Sequence, residues 1–189
     1  MRRLINSTYL SLDGVVQHPE RWTFDYRSDD AAQFGRKQLF SSDALLMGRH
    51  TYHIFADYWP TAPDDDGFAG RMNGLPKYVV SDTLVEPTTW NNTTVIARQD
   101  AVERIRKLKA DRGQDILQYG YGAVTATLLD EGLVDEIRVW LHPLLVGGDD
   151  PTALLAHAGA RVKLTLIDLV RYESGLVILR YQPTGGPST

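Results

Sequence analysis

The chain has 189 residues and a formal net charge of −4, with 43% apolar and 23% charged side chains. This length suits one domain, and the composition excludes collagen-like, disordered and membrane-spanning classes. Acidic and basic residues are interspersed and cysteine is absent, so we expect no nucleic-acid partner, no membrane partner and a cytoplasmic location. The predicted domain covers residues 1–183, and residues 184–189 form a disordered tail.

Strands and helices alternate from the start of the chain. Arg2 to Leu10 is rich in β-formers and ends before the turn signal Asp13-Gly14, which predicts a first strand. A helix running toward Phe40 follows, and either Asp29 or Asp30 is expected to cap it.

Residues 44–52 combine a strand with a candidate anion site. Residues 44–47 are apolar and predict a short central strand that is covered on both faces. Gly48 lets the chain turn and lets a ligand approach the backbone, and a helix starting near Thr51 would offer free N–H groups to an anion. Arg49 adds positive charge. The alternative is an ordinary strand-to-helix turn with a surface arginine.

The remaining pattern predicts a mixed sheet. Further strands are predicted at residues 77–81, 93–97, 115–119 and 134–141, and helices at 51–58, at 123–130 and after a capping box formed by Asp100 and Glu103. Two β runs, 162–169 and 174–182, follow with no helix between them. We therefore expect an α/β fold whose mixed, mostly parallel sheet has helices on both faces and a C-terminal antiparallel hairpin.

A second glycine turn, Gly120-Tyr121-Gly122, also joins a strand to a helix. Ligands of open α/β sheets bind beyond the carboxyl ends of the strands, so two such turns fit an extended ligand with several phosphates, such as a dinucleotide. The GxGxxG signature of the Rossmann fold is absent, because Thr125 stands where the third glycine would be. Any dinucleotide site here is therefore of another type.

Short motifs occur in the order found in two related families. The cofactor loops of dihydrofolate reductases are similar to three segments of this chain: Gly48 to Thr51, Leu75 to Ser81, and Gly120 to Gly122. The bacterial riboflavin-biosynthesis reductase (RibD C-terminal) domain and its stand-alone relatives resemble the chain more closely, at four segments: Ser11 to Gly14, Ser42 to Arg49, Gly132 to Glu136, and Leu141 to Gly148. Those reductases typically carry a lysine where this chain has Val15.

The resemblance implies a three-layer dihydrofolate-reductase-like fold, NADPH as cofactor and hydride transfer to a small heterocyclic substrate. The implied activity resembles that of 5-amino-6-(5-phosphoribosylamino)uracil reductase. The cofactor-binding residues that it implies are Gly48, Arg49, His50, Thr51, Ser81, Gly120, Tyr121, Gly122, Ala123 and Val124. The alternatives are a non-catalytic NADP-binding or structural homodimer, and a pterin or dihydrofolate-type reductase.

A homodimer is also expected, because the family resemblance points to one. In addition, Ile137, Val139 and Leu141 form an apolar strand that must be covered, either by a second copy or by a helix of the same chain.

The proton donor is not apparent from the sequence. Dihydrofolate reductases place a carboxylate on the first helix, which makes Asp29 and Asp30 candidate catalytic residues. The alternative is that these aspartates only cap the helix.

Two further groups have both a functional and a structural interpretation. His50, His53 and Asp57 have the spacing of ligands on one helical face, but no fourth ligand is evident, so no metal is expected. Several rings could stack on a flat heterocycle or simply pack in the core: Trp22, Phe24, Tyr26, Tyr58 and Trp59.

Overall fold

The computed structural model describes residues 1–86, 88–148, 150–156, 159 and 161–184. The strands of this part are β1 (Leu4–Ser11), β2 (Ser42–Gly48), β3 (Lys77–Val80), β4 (Thr93–Ile96), β5 (Asp115–Tyr119), β6 (Glu136–His142), β7 (Lys163–Arg171) and β8 (Val177–Thr184). The helices are α1 (Asp29–Phe40), α2 (Arg49–Tyr58), α3 (Phe68–Gly74), α4 (Ala101–Ala110) and α5 (Ala123–Asp130).

The strands form one sheet in the order β4-β3-β2-β5-β1-β6-β8-β7. Strands β1 to β6 are parallel, while β8 runs antiparallel to β6, and β7 pairs with β8 as a hairpin. This confirms the predicted fold class. Strand β1 lies between β5 and β6, and β5 lies between β1 and β2, so the two glycine turns of the sequence follow neighbouring strands.

Two apolar clusters hold helices against opposite faces of the sheet. Leu46 and Ile116 pack on one face with residues of α4 and α5, including Ile105 and Leu128. The other face carries α1, α2 and α3, through Leu39, Tyr52 and Met72 together with strand residues Ile5, Leu45, Met47 and Leu117. Alternate residues of β2 enter different clusters, as the pattern of a strand covered on both faces requires.

The structure corrects both predicted helix caps. Ser28, not Asp29 or Asp30, is the N-cap of α1, and its Oγ accepts a hydrogen bond from the amide of Ala31. Asp100 precedes α4, but its side chain makes no capping bond, because a 3₁₀ turn runs directly into the helix with helical backbone angles. The proposed partner of that capping box, Glu103, instead pairs with Lys107 one turn later.

Two further helix boundaries differ from the prediction. Helix α2 begins at Arg49, not near Thr51, so the turn at Gly48 is tighter than expected. Helix α3 was not predicted. It buries only Ala69 and Met72, and its glycines at both ends weaken the helical pattern in the sequence.

The C-terminal part of the described chain is the predicted hairpin. Strand β6 is not an edge, since β1 and β8 flank it, and Ile137 and Val139 pack in the cluster beneath α4 and α5. Helices of the same chain therefore cover these two residues, which was the alternative to cover by a second copy. Residues 185–189 of the expected tail lie outside the described residues. No helix in the described part of the chain is long and apolar enough to cross a membrane.

Candidate functional site

The two glycine turns meet at the carboxyl edge of the sheet. Gly120 has a φ of 78°, and a Cβ at this position would lie 2.9 Å from Oγ1 of Thr51. A Cβ on Gly48 would lie 3.6 Å from Cγ2 of Val124. Each turn therefore touches the helix that follows the other turn, and residues far apart in sequence form one surface.

Both helices that start here lack a side-chain cap. The N-cap of α2 is Gly48 and that of α5 is Gly122, and neither has a side chain that could accept from the first N–H groups. A Cβ built on Gly122 has no atom within 4 Å. Two helix starts without a side-chain cap thus lie at the same edge, with open space at Gly122, and their free N–H groups and positive dipole ends suit an anion.

Arg49 stands beside this surface. Its side chain is exposed, and among the described residues no acceptor or carboxylate lies within hydrogen-bonding or ion-pairing reach of it. The neighbouring His50 is also exposed, and its ring packs edge-on against His18, with centroids 5.8 Å apart. The loop after β1 therefore reaches across to the start of α2.

The other residues of the predicted cofactor set have mixed surroundings. Ser81 ends up buried just after β3, and its Oγ accepts from the amides of Thr83 and Leu84, so this hydroxyl is used within its own turn. Tyr121 is half-buried against the cluster beneath α4 and α5. Burial and the charge of Asp130 raise the pKa of Tyr121. Ala123 is exposed at the first position of α5.

The two candidate aspartates lie in the first turn of α1, and both are exposed. Asp30 lines a surface cavity on the outer side of α1 together with Phe40 and Tyr172 of the β7–β8 turn. The pKa of Tyr172 is raised by its burial and by the charge of Asp30. Asp30 is thus turned toward the hairpin.

The three candidate metal ligands, His50, His53 and Asp57, do not form a metal site. His50 packs on His18 and His53 packs on Tyr52. Among the described residues there is no group of three side chains that could hold a metal ion.

Aromatic rings surround a histidine at the end of β6. His142 is buried, its Nδ1 lies 2.9 Å from the carbonyl oxygen of Trp140, and the rings of Tyr9, Trp22 and Tyr26 contact it edge-on. Burial lowers the pKa of His142, so the ring is neutral at physiological pH. The rings of Trp22 and Tyr26 therefore pack against another side chain of the protein.

Other rings among the sequence candidates lie elsewhere. Phe24 is exposed beneath the guanidinium of Arg27, and Tyr58 packs edge-on against Trp59 at the end of α2.

Two loops are tied together over the ends of β1 and β6. Asp13 accepts hydrogen bonds from the hydroxyl of Ser11 and from the amides of Val146 and Gly147. These bonds lower the pKa of Asp13 to about 2. Backbone bonds from Leu12 to the carbonyl of Leu144 and from residue 155 to Gly14 continue the contact. We call this pair of loops the Asp13 clasp.

A buried polar network lies between α1 and the sheet. Gln38, on the inner side of α1, donates through Nε2 to Oγ of Ser7 and accepts through Oε1 from Arg138. The indole of Trp140 also donates to Ser7. The ring of Tyr119 packs against Phe55 of α2, with centroids 5.3 Å apart.

Comparison with known proteins identifies the chain. Residues 2–178 match the model of the RibD C-terminal domain. The protein belongs to this family. The family relationship agrees with the fold and with the order of the motifs.

Individual relatives share little sequence identity with the chain. The chain is 28% identical over 187 residues to the uncharacterized protein YyaP of Bacillus subtilis, which covers 97% of this chain and 96% of the relative. A Shewanella sp. PV-4 protein with a provisional riboflavin-biosynthesis assignment superposes with a TM-score of 0.72 at 20% identity, over 97% of this chain and 99% of the other.

An enzyme of Thermotoga maritima has the same fold in part of its length. This diaminohydroxyphosphoribosylaminopyrimidine deaminase/5-amino-6-(5-phosphoribosylamino)uracil reductase superposes with a TM-score of 0.67 at 15% identity. The match covers 97% of this chain and 57% of that enzyme. At these identities the superpositions establish the shared fold.

Sequence reasoning missed the polar network beneath α1. A signal was present, because Asn6, Ser7 and Thr8 interrupt an otherwise apolar strand, and Gln38 falls on the buried side of its helix. Buried polar side chains need hydrogen-bond partners, so consecutive polar residues in a central strand indicate a network or a site.

Proposed function

We propose that the protein is an NADPH-dependent reductase that transfers hydride to a small heterocyclic substrate. The observation that carries this proposal is the contact between two uncapped helix starts, Gly48–Thr51 and Gly120–Val124, beside Arg49, which has no partner among the residues that the structure describes. Two dipole ends and a free guanidinium suit the phosphates of a dinucleotide.

The residues present fit this cofactor. The open space at Gly122 admits a pyrophosphate close to the backbone of α5, and Arg49 is placed to hold a further phosphate, which we assign to the 2′-phosphate. When bound, NADPH supplies the hydride. The chain holds and orients the cofactor, while the Asp13 clasp covers the neighbouring ends of β1 and β6.

The substrate class rests on the family. The uracil reductase activity in the name of the Thermotoga maritima enzyme favours a heterocycle of that kind. Val15 of this chain is buried and pairs with Leu154 where the riboflavin-pathway reductases typically carry a lysine. We therefore keep the substrate at the level of a small heterocycle.

Cofactor binding by the Arg49→Ala variant tests the proposal. A charge-assisted hydrogen bond contributes roughly 1.5–3 kcal/mol, and because Arg49 is exposed we expect a net loss of about one such bond, so NADPH should bind about 10- to 100-fold more weakly, at 1.4 kcal/mol per decade. NADH lacks the 2′-phosphate and should lose much less. Dissociation constants are measured for both cofactors at fixed salt, with Arg112→Ala as the matched control, because Arg112 is exposed in the turn at the opposite end of β5.

The outcomes distinguish three cases. An equal loss of affinity for NADPH and NADH would indicate that Arg49 binds the pyrophosphate and not the 2′-phosphate. Unchanged affinity for both would show that Arg49 is not part of the cofactor site. Failure of the unmodified protein to bind NADPH at millimolar concentration would overturn the proposed function.

Turnover separates the enzyme from its alternatives. NADPH oxidation is followed with 5-amino-6-(5-phosphoribosylamino)uracil and with 7,8-dihydrofolate as acceptors. Oxidation with the first supports the riboflavin-type reductase, and oxidation with the second alone supports a dihydrofolate-type enzyme. Binding of NADPH without turnover of either would favour a non-catalytic NADP-binding protein.

We also propose a homodimer, now at a different surface. Strand β7 is one of the two edge strands of the sheet, and its Leu164, Leu166, Ile167 and Leu169 are each 44–53% exposed. An exposed apolar edge strand favours association. Light scattering at micromolar concentration should give twice the 21.2 kDa chain mass, and a particle of one chain mass would contradict the dimer.

A further inference from the structure

The turn at Gly120 is held by strand β1. Asn6 of β1 is fully buried, and its register partner on β5 is Gln118. The Nδ2 of Asn6 donates to the carbonyl oxygen of Gly120 at 2.8 Å and to Oε1 of Gln118 at 3.3 Å. The amide of Gly120 donates to the carbonyl oxygen of Ser7 at 3.0 Å. Neighbouring residues of β1 therefore hold both polar groups of Gly120.

These bonds set the direction of the Gly120 carbonyl. Asn6 is level with Gln118, two residues before Gly120, so a carbonyl oxygen bonded to Asn6 points back along the sheet and away from its carboxyl edge. Thr125 of α5 is also buried, and its Oγ1 donates to the same oxygen at 3.4 Å. Donors from β1 and α5 thus keep this oxygen turned inward.

An outward carbonyl would oppose an anion at the two helix starts, Gly48–Thr51 and Gly120–Val124, which we call the anion surface. Glycine has no Cβ, so the peptide between residues 120 and 121 can rotate more easily than a peptide between larger residues. Rotation would bring the partial negative charge of the carbonyl oxygen to the anion surface, where it would repel a phosphate. The hydrogen bond from Asn6 opposes that rotation.

The stability of the fold does not explain this asparagine. Both atoms that face its Nδ2 are oxygens that accept, which fixes the orientation of the amide. Its Oδ1 is buried and has no hydrogen-bond partner among the residues that the structure describes. A buried acceptor without a donor is destabilising, and asparagine is depleted in strands, where valine is favoured. Natural proteins break such rules mainly at functional sites.

We propose that Asn6 is a positioning residue for the anion surface: it holds the Gly120 carbonyl inward, so that the start of α5 accepts a phosphate. Asn6 acts through Gly120, because its own side chain is fully buried. The inference deepens the proposed function and rests on it, since NADPH is the anion that the proposed function assigns to this surface.

Asn6→Val tests this role, because valine suits a buried strand and donates no hydrogen bond. NADPH and inorganic pyrophosphate should each bind about tenfold more weakly, the size of one hydrogen bond. The Tm should stay within about 4 °C of the unmodified protein, because the unpaired acceptor is removed together with the two bonds. Titration calorimetry measures both affinities, and scanning calorimetry measures the Tm.

Two further variants complete the test. Thr125→Val removes the second donor to the same oxygen and should weaken both anions about threefold, because its bond is longer. Ser42→Ala is the matched control. It removes a buried hydroxyl that donates to the carbonyl oxygen of Gln38 at the opposite end of β2, so both affinities should stay unchanged.

Unchanged affinity for both anions in Asn6→Val would overturn the inference, and so would an equal loss in Ser42→Ala. If Asn6→Val melts more than about 4 °C lower, the affinities of Thr125→Val decide instead, and unchanged values there would overturn the inference.

The two proposals fail in different ways. If the unmodified protein binds pyrophosphate but no NADPH, the proposed function is wrong, and the pyrophosphate affinity of Asn6→Val still decides the role of Asn6. If the unmodified protein and Asn6→Val bind NADPH equally well, the cofactor assignment stands and the role of Asn6 is wrong. If the unmodified protein binds neither anion, both proposals are wrong.

Discussion

The two halves of the sheet present different chemistry. Strands β2 and β5 end in glycine turns, which offer backbone N–H groups at the starts of α2 and α5. Strands β1 and β6 instead carry buried polar and charged side chains, among them Ser7, Glu136 and Arg138, linked through Gln38. Backbone groups suit phosphates, which every nicotinamide cofactor shares. Side chains can select one particular ring, because the pattern of hydrogen-bond donors and acceptors that they present differs from one residue type to another.

We expect the largest effect when the charge of Glu136 is removed from the half of the sheet formed by β1 and β6. Glu136 is almost completely buried and accepts from Arg138 at 2.8 Å and from Arg180 at 2.7 Å. Burial raises the pKa of Glu136, but these two hydrogen bonds outweigh it and leave the pKa below its ordinary value. Glu136→Ala leaves a buried guanidinium unpaired, which should cost about 3–5 kcal/mol of unfolding free energy.

Denaturant unfolding measures that loss. The matched control is Glu103→Ala, which breaks an exposed ion pair with Lys107 on α4 and should cost at most about 0.5 kcal/mol. Losses of similar size in the two variants would contradict the comparison between the halves of the sheet.

In the half of the sheet formed by β2 and β5, we expect substitutions of Gly120 and Gly122 to have different effects on stability. Gly120→Ala forces a side chain into a left-handed conformation and toward Thr51, which should cost about 1–2 kcal/mol of stability. Gly122 has extended backbone, so a side chain there meets no conformational penalty. The need for a glycine's backbone conformation therefore belongs to Gly120 and not to Gly122.

Gly122→Ser sharpens the contrast. Serine is a good N-cap, so unfolding free energy should stay equal or rise by up to about 1 kcal/mol. Its hydroxyl would occupy the N–H groups proposed for the pyrophosphate, so NADPH should bind at least about tenfold more weakly. Chemical unfolding and cofactor titration on the same samples give both numbers, and undiminished NADPH affinity would remove Gly122 from the site.

The smallest expected effect concerns the Asp13 clasp. The folded pKa of Asp13 is about 2, below its ordinary value, so its bonds stabilise the fold above about pH 4 and are lost as the pH falls toward 2. The difference in Tm between the unmodified protein and Asp13→Asn should be constant from pH 6 to about pH 4 and shrink below it. A difference that does not change with pH would show that the carboxylate charge contributes nothing.

The sequence was sufficient for features set by local pattern. The apolar run before Gly48 and the glycines after β5 predicted two strand-to-helix turns, and these turns lie side by side. The roles of the residues in them, including Arg49, stay predictions.

Features set by distant partners were not predictable. In the sequence Gln38 is an ordinary polar residue of a predicted helix, and only the fold brings Ser7 and Arg138 opposite it. Ser28 is followed by two aspartates that are equally plausible N-cap residues for the same helix. Helix α3 is short and bounded by glycines, so tertiary packing of Met72 decides it.

The position of β1 in the sheet also has a consequence for how the chain folds. Strand β1 is synthesised before both of its partners, β5 and β6, which begin at residues 115 and 136. A nascent chain that stops before residue 136 holds a strand with an open edge, which exposes backbone groups to other chains. Such long-range pairing favours refolding on the order of milliseconds to seconds, and release of the polypeptide before β6 should favour aggregation.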